Sequence, residues 1–187
     1  MQFLTSLSAC KPSSFGGGTS ASLSSDLDLQ DGEGDELDEN GARIMSRRMV
    51  QRVCRARGLY LTPSCNTALY LQDLKFLRIE NLEDYTSCRV LHLSNNCLTS
   101  IQGLDHMTAL QALYLQSNDL RSLSGLSALP RLHTLHVSGN PLGSLAGGLP
   151  PSLRCLHAAN TGLRCPSSSL ALLPRCCPGL ELLDVSG

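Results

Sequence analysis

The chain has 187 residues, of which 42% are hydrophobic but only 4% aromatic, and it contains no tryptophan. A core made from this composition has to come mainly from leucine, and no apolar run reaches the roughly 18 residues that a membrane-spanning helix needs. The net charge of −1 hides an asymmetry: residues 1–40 carry one lysine and eight acids, whereas residues 41–187 carry fourteen bases and eight acids.

Residues 1–43 read as a disordered, Ser/Gly-rich and then acidic tail, with GGG at 16–18 and SDLDLQDGEGDELDEN at 25–40. Few apolar residues and a high charge cannot offset the entropy of ordering such a segment. Its start, MQFLTSLSACKPSSF, has no basic residue ahead of its apolar letters and no arginine, so it resembles neither a secretory signal nor a transit peptide. The alternation of acids with glycine falls short of a calcium loop, because no window sets acids at the first, third and fifth positions with glycine at the sixth. The tail is expected to add solubility, with pairing to the basic segment at 44–58 as the alternative.

Residues 44–58 change character. Met45, Met49 and Val53 lie four apart, with Val50 and Cys54 on the neighbouring row and six arginines at 43–57 on the remaining faces. This spacing predicts a basic amphipathic helix, ended by Gly58, that caps the apolar end of a repeat array beginning at residue 59. Binding to a membrane surface or to calmodulin is the alternative for such a helix.

From residue 59 to 187 the array itself is visible. LHLSNN at 91–96 returns as LYLQSN at 113–118 and LHVSGN at 135–140. Written as L-x-x-L-x-L-x-x-N-x-L, the units begin at 66, 88, 110, 132, 153 and 180. That is the leucine-rich repeat signature. It predicts an α/β solenoid with a parallel concave sheet, an N-terminal capping helix and a disordered acidic N-terminal tail. In each unit the leucines point inward along a short strand of period two. Asn96, Asn118 and Asn140 turn the chain out of the strand and form a stacked ladder, their amides bonding backbone groups bared by the bend. Ile101, Leu104 and Met107, then Leu123, Leu126 and Leu129, supply the apolar back of the coil.

The pattern frays at both ends. Leu74 stands where the first unit would have its asparagine, and Thr161 does so in the fifth. The longer segment SSSLALLPRCCPGL is expected to form a convex, helical stretch up to Pro174. The chain stops at LELLDVSG, two residues past the last strand, and the expectation is a fragment or a partner covering that strand.

The outward strand positions form the candidate site. One column contains Tyr70, His92, Tyr114, His136, His157 and Asp184; the next contains Gln72, Ser94, Gln116, Ser138, Ala159 and Ser186. Tyr70, His92, Tyr114, Gln116, His136 and His157 are the candidate partner-binding residues. Tyrosine offers a large contact area at low entropic cost and keeps a hydroxyl for orientation. Plain solvated surface is the other reading of these columns.

Three sharper chemistries fit less well. A metal held by His136, His157 and Asp184 lacks the turn or helix constraint of ordinary zinc sites. Cys155 and His157 share a sheet face but have no oxyanion arrangement, so no catalytic residue is assigned. The arginines at 43–57 are not interleaved with aromatics, and nucleic-acid binding is not expected. Nine cysteines with no CxxC motif point to free thiols in a reducing cytoplasm. No cofactor is implied, and a monomer is expected.

The stretch at 58–93 is more particular. It holds LYLTP at 59–63, N-x-x-LYL at 66–71 and RIENLEDYT at 78–86. With the basic helix before it, this resembles the axonemal dynein assembly-factor family, within the SDS22-like class of leucine-rich repeats. The resemblance implies a non-catalytic scaffold for cytoplasmic preassembly of axonemal dynein arms, serving cilium or flagellum assembly. Its implied partners are axonemal dynein subunits and chaperones, and the cilium or flagellum is a second location. An SDS22-like regulatory subunit docking on a protein phosphatase is the alternative.

Overall fold

The computed structural model describes residues 37–39, 41, 43–145, 148–162 and 173–186. The tail up to residue 36, and Leu170 and Leu172 of the long unit, lie outside the described residues.

Helix α1 spans Arg47–Ala56. It starts later than the apolar spacing alone implies because Ser46 caps it, its Oγ accepting the Met49 amide at 3.2 Å. Met45 therefore precedes the helix, yet it is buried and its carbonyl accepts a bond from Asn81 Nδ2 at 2.8 Å. At the other end Gly58 takes a positive φ, and the Leu59 amide reaches back to the Cys54 carbonyl at 2.8 Å. That bond is the Schellman closure that a glycine after the last turn permits. Met49, Val50, Val53 and Cys54 are buried, and α1 packs on the first strand. Beneath it Cys54 Sγ lies 3.8 Å from Tyr85 Oη, and burial raises the pKa of both groups. Cys54, Cys65, Cys88, Cys97, Cys176 and Cys177 are free thiols.

Six strands follow: β1 Ala68–Tyr70, β2 Val90–His92, β3 Ala112–Tyr114, β4 Thr134–His136, β5 Cys155–His157 and β6 Leu182–Asp184. They form one parallel sheet in chain order. The register aligns Leu69, Leu91, Leu113, Leu135, Leu156 and Leu183. Each strand is three residues long and begins one residue before the L-x-L letters of the motif. The second leucine, such as Leu115, follows the strand but stays fully buried. Burying a leucine is worth about 1.5–3 kcal/mol, so the repeated leucines dominate the stability of the coil.

On the convex side Ile101, Leu104, Met107, Leu123, Leu126 and Leu129 are all buried. Successive units stack closely there. Gly125, at φ +104, faces the Ile101 carbonyl so tightly that a Cβ would collide with it, and Gly103 stands 22 residues earlier against the Ile79 carbonyl.

The asparagine ladder is continuous through the middle units. Asn118 Nδ2 donates to the Leu115 carbonyl of its own unit and to the Leu93 carbonyl of the unit before, while its Oδ1 accepts the Leu98 amide. Asn96 and Asn140 repeat this arrangement with their own neighbours. All three are buried.

In the long unit, described residues 173–176 are helical, so the helical stretch runs past Pro174 instead of ending there. The Cys177 amide bonds the Leu173 carbonyl at 2.7 Å, and this turn asks no N–H of the proline between them. Strand β6 pairs with β5 on one side, and Leu182 and Leu183 are 43% and 38% exposed.

Candidate functional site

Parallel pairing in register places Tyr70, His92, Tyr114, His136, His157 and Asp184 side by side across the concave face. The strand spacing of about 4.8 Å is close to the stacking distance of flat rings, so the side chains respond by stacking. Ring centroids lie 5.0 Å apart for Tyr70 and His92, 4.2 Å for His92 and Tyr114, 4.8 Å for Tyr114 and His136, and 4.0 Å for His136 and His157. The His92 and Tyr114 planes differ by 1°. The five rings thus form one continuous ladder. Sequence reading identifies the column but not this contact; the signal was the recurrence of a flat ring at one repeat position, every 21 or 22 residues.

Stacking shields the ring faces, and His92, Tyr114, His136 and His157 are half-buried, while Tyr70 at the end is 37% exposed. Burial, followed by the nearby His157 and His92, holds the His136 imidazole down to about 4. His92 is lowered as well, first by burial and then by Arg57. At neutral pH these two imidazoles are therefore uncharged. Asp184 closes the column: its carboxylate is 3.9 Å from His157 Nδ1 and is kept below the usual range chiefly by hydrogen bonds from Ser186.

Gln116 lies half-buried in the adjacent column, and its Oε1 has no partner among the described residues, as is the case for Gln72 Oε1. Both amide oxygens are themselves buried from solvent. The concave face is consequently mostly uncharged and rich in stacked rings. That composition suits protein recognition more than small-molecule binding. A hollow at the long unit is lined by Leu173, Pro174, Cys177, Leu180 and Leu182, and includes none of the ring residues.

The geometry does not favour a metal at His136, His157 and Asp184. The two imidazoles are stacked face to face, so their in-plane lone pairs do not converge, and no group of three ligands forms among the described residues. Cys155 and His157 lie two residues apart on one short strand.

Sequence reading also overlooks Asn66. Counted as the first letter of a repeat, it occupies a leucine position, yet it is 2% exposed and its side chain bonds the loop that precedes it. An asparagine at a core position, three residues after Pro63, was the available signal.

Comparison with known proteins agrees with the fold. The family described as Leucine Rich repeats (2 copies) matches residues 86–125 and 108–150. Dynein axonemal assembly factor 1 of Rattus norvegicus is 46% identical over 59 residues, which is 32% of this chain and 9% of that protein. The Homo sapiens protein of the same name is 47% identical over 49 residues, 26% of this chain and 7% of that one. The matched segment is thus a small part of these relatives. Among solved structures, YopM from Yersinia enterocolitica WA-314 superimposes with a TM-score of 0.50 and 25% identity, over 68% of this chain and 25% of that chain. No helix among the described residues is long and apolar enough to cross a membrane.

Proposed function

We propose that this leucine-rich-repeat protein is a non-catalytic scaffold whose concave face holds protein partners, and that it acts in the preassembly of axonemal dynein arms. The observation that carries the binding role is the five-ring ladder on the concave face. Stacking immobilises the rings before a partner arrives, which lowers the entropic cost of binding. The likeness to dynein axonemal assembly factor 1 supports the choice of dynein subunits and their chaperones as partners. The cytoplasm is the corresponding location, with the cilium or flagellum as the destination of the product.

Affinity capture of the tagged full chain from the cytosol of a flagellated cell, followed by mass spectrometry, tests this reading. Dynein heavy or intermediate chains with chaperones are expected, and Tyr114→Ala with His136→Ala should lose them while the protein stays folded. A phosphatase catalytic subunit captured without dynein would replace the assembly reading with enzyme docking. Capture unaffected by the two substitutions would move the binding site off the concave face.

A further inference from the structure

A second surface stands on the loop between α1 and β1, which contains the LYLTP motif. The loop is anchored by the buried Asn66. Its Oδ1 accepts the Tyr60 amide at 3.0 Å, and its Nδ2 donates to the Tyr60 carbonyl at 2.8 Å and faces the Thr62 carbonyl at 3.3 Å. The Leu59 amide, bonded to the Cys54 carbonyl, ties the loop's start to the last turn of α1. Yet this braced loop holds Tyr60 68% exposed and Leu61 45% exposed. A simple connection has no need of an aromatic and a leucine in water. Fixing both in place lowers the cost of burying them against something else.

The neighbouring helix indicates the charge of that partner. Arg48 and Arg55 are exposed, and neither makes an ion pair among the described residues. Other basic groups nearby have acids: Arg47 lies 3.7 Å from Asp84, and Asp73 acts on Arg57. Arg55 is seven positions after Arg48 on the helix, so the two project from nearly the same face about 10.5 Å apart. An extended peptide turns alternate side chains to one face, about 6.8 Å apart, so carboxylates two or four residues apart bracket that separation.

We propose that Tyr60, Leu61, Arg48 and Arg55 form a second docking site, separate from the concave face, for an acidic segment of a partner protein that carries an apolar anchor. The anchor packs on Tyr60 and Leu61, and two carboxylates lie along α1. Asn66 is a positioning residue that sets the loop.

The test is selection of random 12-residue peptides displayed on phage against the immobilised full chain. The enriched pool should combine an apolar residue with paired acids. Synthetic peptides from it should bind at least tenfold more weakly to the Tyr60→Ser/Leu61→Ser protein and to the Arg48→Glu/Arg55→Glu protein. Binding should be unchanged in the Tyr114→Ala/His136→Ala protein, which separates this site from the concave one. Because all four side chains are exposed, melting temperatures should stay within about 2 °C of the parent, in keeping with the small effects of surface changes. No enrichment, or peptides indifferent to both loop and arginine substitutions, overturns the proposal. If peptides bind only after the acids at 26–39 are replaced by their amides, the chain's own acidic stretch is the occupant, and the partner proposal falls.

Discussion

Asn140 and Thr161 occupy the same place in consecutive repeats, and the bonds they make differ in reach. Asn140 joins two units, donating to Val137 in its own and Leu115 in the one before, and accepting the Leu120 amide. Thr161 donates to the Ala158 carbonyl within its own unit, at 2.8 Å. The consequence appears one repeat back. The amides of Phe76, Leu98 and Leu120 are each taken by the asparagine of the following unit, but the Leu142 amide folds back onto the Asn140 carbonyl at 2.8 Å. A threonine hydroxyl is too short to cross the gap. In a solenoid, where stability is approximately a sum of unit and neighbour terms, this weakens one neighbour term and leaves the fifth unit freer to open by itself.

The largest effect should come from the core of a laddered unit. Leu115→Ala removes a fully buried side chain and should cost about 2–5 kcal/mol in chemical denaturation. Leu156→Ala, equally buried in the fifth unit, should lie at the lower end of that range, because loss there can be confined to local opening. A Leu115→Ala loss below about 1 kcal/mol would contradict the packing described.

The ladder itself comes next. Asn118→Ala strips partners from the Leu93 and Leu115 carbonyls and the Leu98 amide, and should cost about 1–3 kcal/mol. Thr161→Val removes one bond with little change in shape and should cost no more than about 1 kcal/mol. Equal losses for the two would erase the distinction between the turns. The converse change, Thr161→Asn, gives the Leu142 amide and the Val137 carbonyl a longer side chain to meet. A gain of about 0.5–1.5 kcal/mol is expected, with slower hydrogen exchange at the Leu142 amide. Unchanged exchange there would show that the backbone, and not the residue, sets the difference.

These contrasts show where sequence is informative. The period was legible because a strand buried on one side fixes its leucines and leaves the alternate positions free, and the apolar residues of the convex side recur with the same spacing. The role of Asn118 followed from its position after the strand. What could not be read were effects that depend on distance across units. Nothing in the letters says that rings at positions 70 and 92 touch, since that depends on side-chain rotamers as well as register. Asn66 is written like the opening letter of a repeat although it serves the loop before it. The start of α1 was blurred because Met45 continues the apolar spacing, whereas Ser46 takes the cap and sets the boundary.

The ring ladder supplies the smallest predicted effect and links folding to the state of the candidate site. His136 sits between Tyr114 on β3 and His157 on β5, with His92 beyond Tyr114 on β2. Its folded pKa of about 4, set mainly by burial, lies below the value of about 6.5 expected for an unfolded histidine. Between these values the unfolded chain binds a proton that the folded chain refuses. The contribution of His136 to stability is therefore complete above about pH 6.5, declines as the pH falls, and levels off below about pH 4. His92 acts in the same direction. The melting temperature should drop from pH 7.5 to pH 5, and His136→Gln, which keeps a flat polar group without a titrating proton, should reduce that drop. The half-exposed position of the ring keeps the change modest. An identical pH profile in the glutamine protein would assign the loss to other groups. A shallower profile would mean that the stack remains uncharged in the folded protein by excluding protons, as an uncharged concave face requires.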